Sequence, residues 1–220
     1  MTVRIAMWSG PRNISTAMMR AFENRDDTEV SDEPFYAAFL AATGAIHPMR
    51  EEVLASQPND WRAVLPEFGL DWMEACTNAF LIRPPEQVLA SYAAKRTEPT
   101  LADIGVIRQN EIFDRIADAQ GSAPPVIDGT DVLADPPQAL SRLCAALGLP
   151  FSEKMLAWPA GRRASDGVWA PAWYDAVERS TGFTAPARVA GFEDLPDALK
   201  PVAEAARPYY ERMALHCLRA

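Results

Sequence analysis

The fold turns on residues 3–20, Val3-Arg4-Ile5-Ala6-Met7-Trp8-Ser9-Gly10-Pro11-Arg12-Asn13-Ile14-Ser15-Thr16-Ala17-Met18-Met19-Arg20. The apolar run over 3–8 predicts a buried strand, and 9–13 a turn. Ser15 or Thr16 suits the N-cap of a helix whose apolar face starts at Ala17, Met18 and Phe22. Strand, tight turn and helix start in succession make an anion site, because first-turn N–H groups lack intrahelical partners and the helix dipole adds partial positive charge. Arg12 brings a full charge to the mouth, and the two hydroxyls add donors. Gly10, Pro11, Arg12, Asn13, Ile14, Ser15 and Thr16 are therefore read as a grip for a phosphate or phosphosulfate. The plainer alternative is an ordinary strand-to-helix turn. The stretch departs from the nucleotide-triphosphatase pattern G-x-x-x-x-G-K-[ST]: Ser15 and Thr16 stand where the second Gly and the Lys would be. An ATPase or GTPase is correspondingly disfavoured.

Outward from this stretch, 29–32 reads as a second short strand, followed by helices over 35–42 and 51–56. Residues 61–78 carry much apolar surface but no period-2 pattern. Ala79-Phe80-Leu81-Ile82-Arg83 reads as a buried strand ending in a charge, and Pro84-Pro85 stops it and opens a helix through Val88, Leu89 and Tyr92. Thr100-x-x-Asp103 resembles a capping box for a long amphipathic helix through Ile104, Ile107, Ile112, Phe113 and Ile116. Residues 125–128 form a further strand, and Asp135-Pro136 opens a helix stopped by Gly148. Short helical segments over 152–158 and 169–180 and a terminal helix over 199–218 complete the chain. Alternating strands and helices predict a single α/β domain over 1–220, with a central parallel sheet between two helical layers. Ligands of such sheets sit at the carboxyl ends of the strands. Arg12, Glu33, Arg83 and Asp128 all fall there.

The 220 residues are 49% hydrophobic and carry a net charge of −9. That charge argues against nucleic acid or an anionic membrane as the main partner. An anionic ligand would then need locally concentrated positive charge, from Arg12, Arg83 and the Arg162-Arg163 pair. No apolar run approaches the ~18 residues of a membrane span, and no signal peptide is evident. Cys76, Cys144 and Cys217 lack metal or disulfide spacing, which points to a reducing cytoplasm. With only His47 and His216 as histidines, a metal centre is not expected.

Arg83 and Ser91 form a second constellation, a fork donor and a hydroxyl suited to a second phosphate; the alternative pairs Arg83 with a neighbouring carboxylate. Glu33 is the candidate general base, because a desolvated Glu can titrate near working pH. Asp32 competes for the role, and the alternative reading is a carboxylate at a helix start. Arg162 and Arg163 could close over a nucleotide as a lid, or simply form a solvated basic turn. Trp169, Trp173 and Tyr174 could line a pocket or pack in the core.

These residues resemble a known family. Ser9-Gly10-Pro11-Arg12-Asn13-Ile14-Ser15-Thr16 is similar to the 5′-phosphosulfate loop of sulfotransferases that use 3′-phosphoadenosine 5′-phosphosulfate (PAPS). The run from Phe80 to Tyr92, F-L-I-R-P-P-E-Q-V-L-A-S-Y, looks like their 3′-phosphate motif. Asp166-Gly167-Val168-Trp169 is weakly similar to the late loop that covers the nucleotide. The resemblance implies a P-loop nucleoside-triphosphate-hydrolase-like, sulfotransferase-like fold, and PAPS as co-substrate with PAP (adenosine 3′,5′-bisphosphate) as product. It implies a hydroxyl or amine on a small acceptor, and no metal. Arg12 would stabilise charge on the bridging oxygen, Asn13, Ser15 and Thr16 would hold the 5′-phosphate, Arg83 and Ser91 would read the 3′-phosphate, and Glu33 would take the acceptor's proton. A homodimer is kept open as a partner. An NTP-dependent kinase or hydrolase on a degenerate loop, and a non-catalytic nucleotide-binding protein, are the competing functions.

Two departures stand out. Arg12 replaces the family's Lys, and a guanidinium is not a tunable acid. Relatives also carry a strand with a Lys and a His pair before the F-L-I-R strand, whereas 61–77 holds neither residue type. Either the strand is lost or residues are missing between about 60 and 78. The second is the expectation, because a sheet lacking a central strand is hard to close.

Overall fold

The computed structural model describes residues 2–64, 72–94, 98–185 and 188–219. The chain divides into two compact units, one of residues 1–15, 76–152 and 183–220, the other of residues 16–75 and 153–182.

The first unit is built on three parallel strands, β1 (Ile5–Ser9), β2 (Thr77–Ile82) and β3 (Val126–Asp128), in the order β1-β2-β3. The register pairs Trp8 with Phe80, Ser9 with Leu81 and Ile82 with Asp128. β2 is the central strand, and every residue from Asn78 to Ile82 is buried. That explains its continuous apolar sequence: a strand covered on both faces has no alternation to show. The unit also holds α4 (Pro85–Ala93), α5 (Val106–Gln120), α6 (Gly129–Ala134), α7 (Pro136–Ala146) and α10 (Lys200–Ala214). Proline at the first turn of α4 lacks only an N–H that would have no partner there anyway. The core joins Phe80, Ile82 and Val126 of the sheet to Phe113 and Ile116 of α5 and Met213 of α10. Phe80 and Phe113 meet edge to face at 5.3 Å. Beyond α10, Leu218 N–H donates to the Val126 carbonyl. Burial there pushes the Cys217 thiol up to about 12, so it is no reactive thiolate.

The second unit contains the body of α1 (Ser15–Glu23), whose first residue belongs to the first unit, together with α2 (Tyr36–Thr43), α3 (Arg50–Ser56), α8 (Ala170–Trp173) and α9 (Asp175–Glu178). Its core gathers Ala37, Leu40, Val53, Trp169, Ala170 and Tyr174. Beside it lies an ion pair between Arg20 and Asp166, 2.7 Å apart, with both side chains fully buried.

Several elements differ from the sequence reading. Residues 29–32 form no strand. A lone extended segment is not stable without a ladder, and the described residues of the second unit offer only a single bridge, Ala157 to Gly182. Thr100 and Asp103 do bond reciprocally, but they close a turn, and α5 starts at Val106 after Gly105, whose φ of 69° breaks the run. α6 was not anticipated; Asp128 caps it by accepting from Thr130 N–H at 2.7 Å. Residues 152–158 contain only a 3-10 turn, Glu153–Leu156. Of the illegible stretch, residues 65–71 lie outside the described residues, and the described remainder holds a 3-10 turn, Trp61–Ala63, before β2 begins at Thr77. β1 and β2 are hydrogen-bonded neighbours, so no strand stands between them.

The loop after β1 is packed closely. A Cβ at Gly10 would lie 2.7 Å from the Ile104 carbonyl oxygen, a rigid backbone atom. Gly10→Ala is therefore expected to destabilise the protein by about 1–3 kcal/mol, the usual range for overpacking. A urea titration checks this: the midpoint falls, and an unchanged midpoint would show that the loop yields freely.

Candidate functional site

Three strands end side by side, and the residues following them carry the polar chemistry of the first unit. After β1 the chain turns through two non-glycine residues in the left-handed region, Arg12 at φ 63° and Ile14 at φ 59°. For a β-branched residue this is an outlier costing about 1–3 kcal/mol, of the kind that collects at binding sites. Left-handed residues within a turn are the backbone arrangement from which anion-binding nests are made. Gly129 allows the Ile14 side chain its place, since a Cβ there would meet Ile14 Cγ1 at 3.3 Å.

Arg83 follows β2 and reaches this turn. Its Nη1 donates to the Arg12 carbonyl at 3.1 Å, and its Nε donates to Gln87 Oε1 at 3.0 Å. Arg12 Nε in turn donates to Ser91 Oγ at 3.0 Å. Of the grip read in the sequence over 10–16, residues 10–15 lie in one unit with the Arg83/Ser91 pair. Among the described residues Arg83 has no carboxylate at ion-pair distance. Burial lowers its pKa, the Asp128 charge opposes that, and the nearby Arg12 guanidinium adds to the lowering. Two like charges held this close to a strained turn are an arrangement that a bound polyanion would relieve. A cavity of about 20 Å³, lined by Asn13, Arg83, Gln109 and Tyr210 among others, lies beside them. Asn13 is 4% exposed; its Nδ2 donates to the Leu81 carbonyl at 3.3 Å while its Oδ1 has no partner.

The second unit holds the carboxylates. Asp32 accepts from Gly167 N–H at 2.9 Å and from the Tyr174 hydroxyl at 2.8 Å. Burial raises its pKa against those bonds. Glu33 is different: it sits at φ 37°, and no hydrogen bond or ion pair to its carboxylate is recorded among the described residues. Glu33 is exposed as a residue, and its carboxyl is pushed up to about 7, first by desolvation and then by the Asp32 charge. Asp32 is thus bonded into the scaffold, whereas among the described residues the Glu33 carboxylate is not.

Arg163 belongs to a braced loop. Its N–H donates to Asp166 Oδ2 at 2.7 Å, its guanidinium lies 3.8 Å from Glu23, and Ser165 also bonds Glu23. Arg162 is exposed. Trp169 is core, 2% exposed, with its indole N–H on the Tyr174 hydroxyl at 3.1 Å. His47 Nδ1 lies 2.9 Å from the Tyr36 hydroxyl.

Gln109 was missed by sequence reasoning, and Tyr174, read there only as a pocket or core aromatic, bonds Asp32 through its hydroxyl. Gln109 had a signal: Val106, Gln109, Phe113 and Ile116 share one helical stripe, so a polar residue stood on a face otherwise apolar. Tyr174 gave no such signal among neighbouring aromatics. Among the described residues no cluster of His, Cys, Asp and Glu could hold a metal ion, and no helix is long and apolar enough to cross a membrane.

With this geometry in place, comparisons with known proteins can be read. The family model described as "Sulfotransferase domain" matches residues 3–65 and 61–217. The two segments overlap over 61–65, at the start of the illegible stretch. Two Arabidopsis thaliana proteins named branched-chain-amino-acid aminotransferase-like protein 1 and 2 are similar, at 37% and 34% identity over 205 residues, covering 83% of this chain in each case. The chain spans only 37% and 36% of their lengths. Among solved structures, the sulfotransferase domain from the curacin biosynthetic pathway is similar in fold, with a TM-score of 0.52 at 13% identity, covering 94% of this chain and 98% of that one. The parallel sheet and this likeness give the P-loop-like α/β/α fold of sulfotransferases, and the family match over most of the chain shows that it belongs to the sulfotransferase domain family.

Proposed function

We propose that this protein transfers a sulfuryl group from PAPS to a hydroxyl or amine of a small acceptor. The observation that carries the reading is the bonded chain from Arg83 to the Arg12 carbonyl and from the Arg12 guanidinium to Ser91, which gathers two guanidiniums and a hydroxyl at a strained turn. The 5′-phosphosulfate would lie against residues 10–16, from Gly10 through Thr16, and the 3′-phosphate against Arg83 and Ser91. Arg162 and Arg163 are the further candidates for the nucleotide. In the reaction, the acceptor oxygen or nitrogen attacks sulfur in line as the bond from sulfur to the bridging oxygen breaks. The acceptor's proton passes to Glu33, and PAP departs with the bridging oxygen's negative charge stabilised by Arg12. Positioning and charge stabilisation supply the acceleration, as in phosphoryl transfer. Arg12 can neutralise that charge but does not donate a proton readily. The free cysteines support a reducing, cytoplasmic setting.

Titration with PAP, ATP and GTP should raise the melting temperature for PAP selectively and without magnesium, because a ligand bound only by the folded state stabilises it. Arg83→Ala should abolish most of that shift. A shift confined to ATP with magnesium would replace this reading with a kinase or hydrolase.

The pH dependence has a definite sign. Glu33 must be ionised to accept a proton, and its carboxyl titrates at about 7. Turnover should therefore climb about tenfold per pH unit below that value and level off above it. Glu33→Gln should lower kcat by roughly 10²–10⁴ with PAP binding intact. A variant that keeps full turnover would remove Glu33 from the chemistry, and PAP binding with no turnover in the native protein would point to a binding role only.

A further inference from the structure

Gln109 lies on the buried stripe of α5, 6% exposed. Its Nε2 donates to two carbonyls, Trp8 at 3.1 Å and Leu81 at 2.9 Å. Trp8 stands in β1 just before the 10–15 turn, and Leu81 stands in β2 just before Arg83. One amide group therefore links the strands at the points where their separate anion grips begin. The link does not stand alone: Asn13 Nδ2, from within the turn, donates to the same Leu81 carbonyl. The Gln109 backbone is itself fixed, its N–H bonding the Gly105 carbonyl at 3.0 Å. The preceding residue, Ile104, is the one whose carbonyl closes on Gly10.

We propose that Gln109 is a positioning residue that holds the 10–15 turn and the Arg83 strand end at one fixed separation, so that a nucleotide bearing two phosphates gains from binding both grips at once. The proposal rests on the bisphosphate reading given above. Its physical content is effective concentration: once one phosphate is held, the second grip is already in place, and that advantage shrinks if the separation fluctuates. Each grip taken alone keeps its own donors. Loss of the tether should thus spare ligands with one phosphate and penalise a ligand with two.

The test compares PAP with adenosine 5′-monophosphate and adenosine 3′-monophosphate on native protein and Gln109→Met, which keeps the volume but has no N–H to donate. The expected result is a loss of about tenfold in PAP affinity, the scale of one buried hydrogen bond, with each monophosphate changed less than about twofold. Equal losses for all three ligands, or none for PAP, overturn the proposal. Amide hydrogen exchange of residues 10–15 is read in parallel without ligand and should quicken in Gln109→Met while the β2 core is unchanged. Native protein that binds PAP no better than the monophosphates removes the sulfuryl-donor reading; quickened exchange in the variant would still sustain the tether, and unchanged exchange would remove that too.

Discussion

The carbonyl of Leu81 is the point on which the first unit depends. It lies one residue before the end of the central strand and accepts from both Asn13 and Gln109. Parallel pairing sets Ser9 opposite Leu81, so the loops after β1 and β2 leave the sheet on the same side and at the same level. An antiparallel pair would have sent the two loops to opposite ends. The direct neighbourhood of these strands therefore decides that Arg83 can reach the Arg12 carbonyl at all.

Electrostatics adds a second constraint. With a formal charge of −9 the chain as a whole repels anions, and such a field is felt over about a Debye length, ~8–10 Å at ordinary salt. Local positive charge must prevail inside that distance. Arg83 meets the need because its near contacts are an amide and a backbone carbonyl, with no carboxylate at ion-pair range among the described residues. Arg20, by contrast, is saturated by Asp166 in a fully buried pair. Breaking a buried pair strands a charge at roughly 3–5 kcal/mol, so Arg20 is committed to Asp166, whereas Arg83 is not committed to a carboxylate among the described residues.

Much of this was legible in the sequence because short apolar strands and proline-marked helix starts are local signals. β1, β2, β3 and the start of α4 were found that way, and the stretch 10–16 was singled out by its chemistry. What was not legible depends on distant partners. Residues 29–32 have strand-like composition but no ladder to join, and no local pattern reports a missing neighbour. The Thr100–Asp103 pair bonds as a capping box would, yet Gly105 ends its reach two residues later. Whether Asp32 or Glu33 carries the free carboxylate turned on Tyr174 and Gly167, both more than 130 residues away in the chain.

Backbone strain offers a measure that is independent of side-chain chemistry. Among the described residues, the non-glycine residues at positive φ are Arg12, Ile14, Glu33, Met49 and Glu98. Three of these fall on the two segments proposed for anion binding and proton acceptance. Ile14 is the most telling, since neither its branched side chain nor a local hydrogen bond favours the left-handed region. A fold optimised only for stability would place glycine or asparagine there. The isoleucine side chain fills the space beside Gly129. Strain held in place by packing keeps the donors aimed before any ligand arrives, and preorganisation of that kind is what a catalyst working by charge stabilisation needs most.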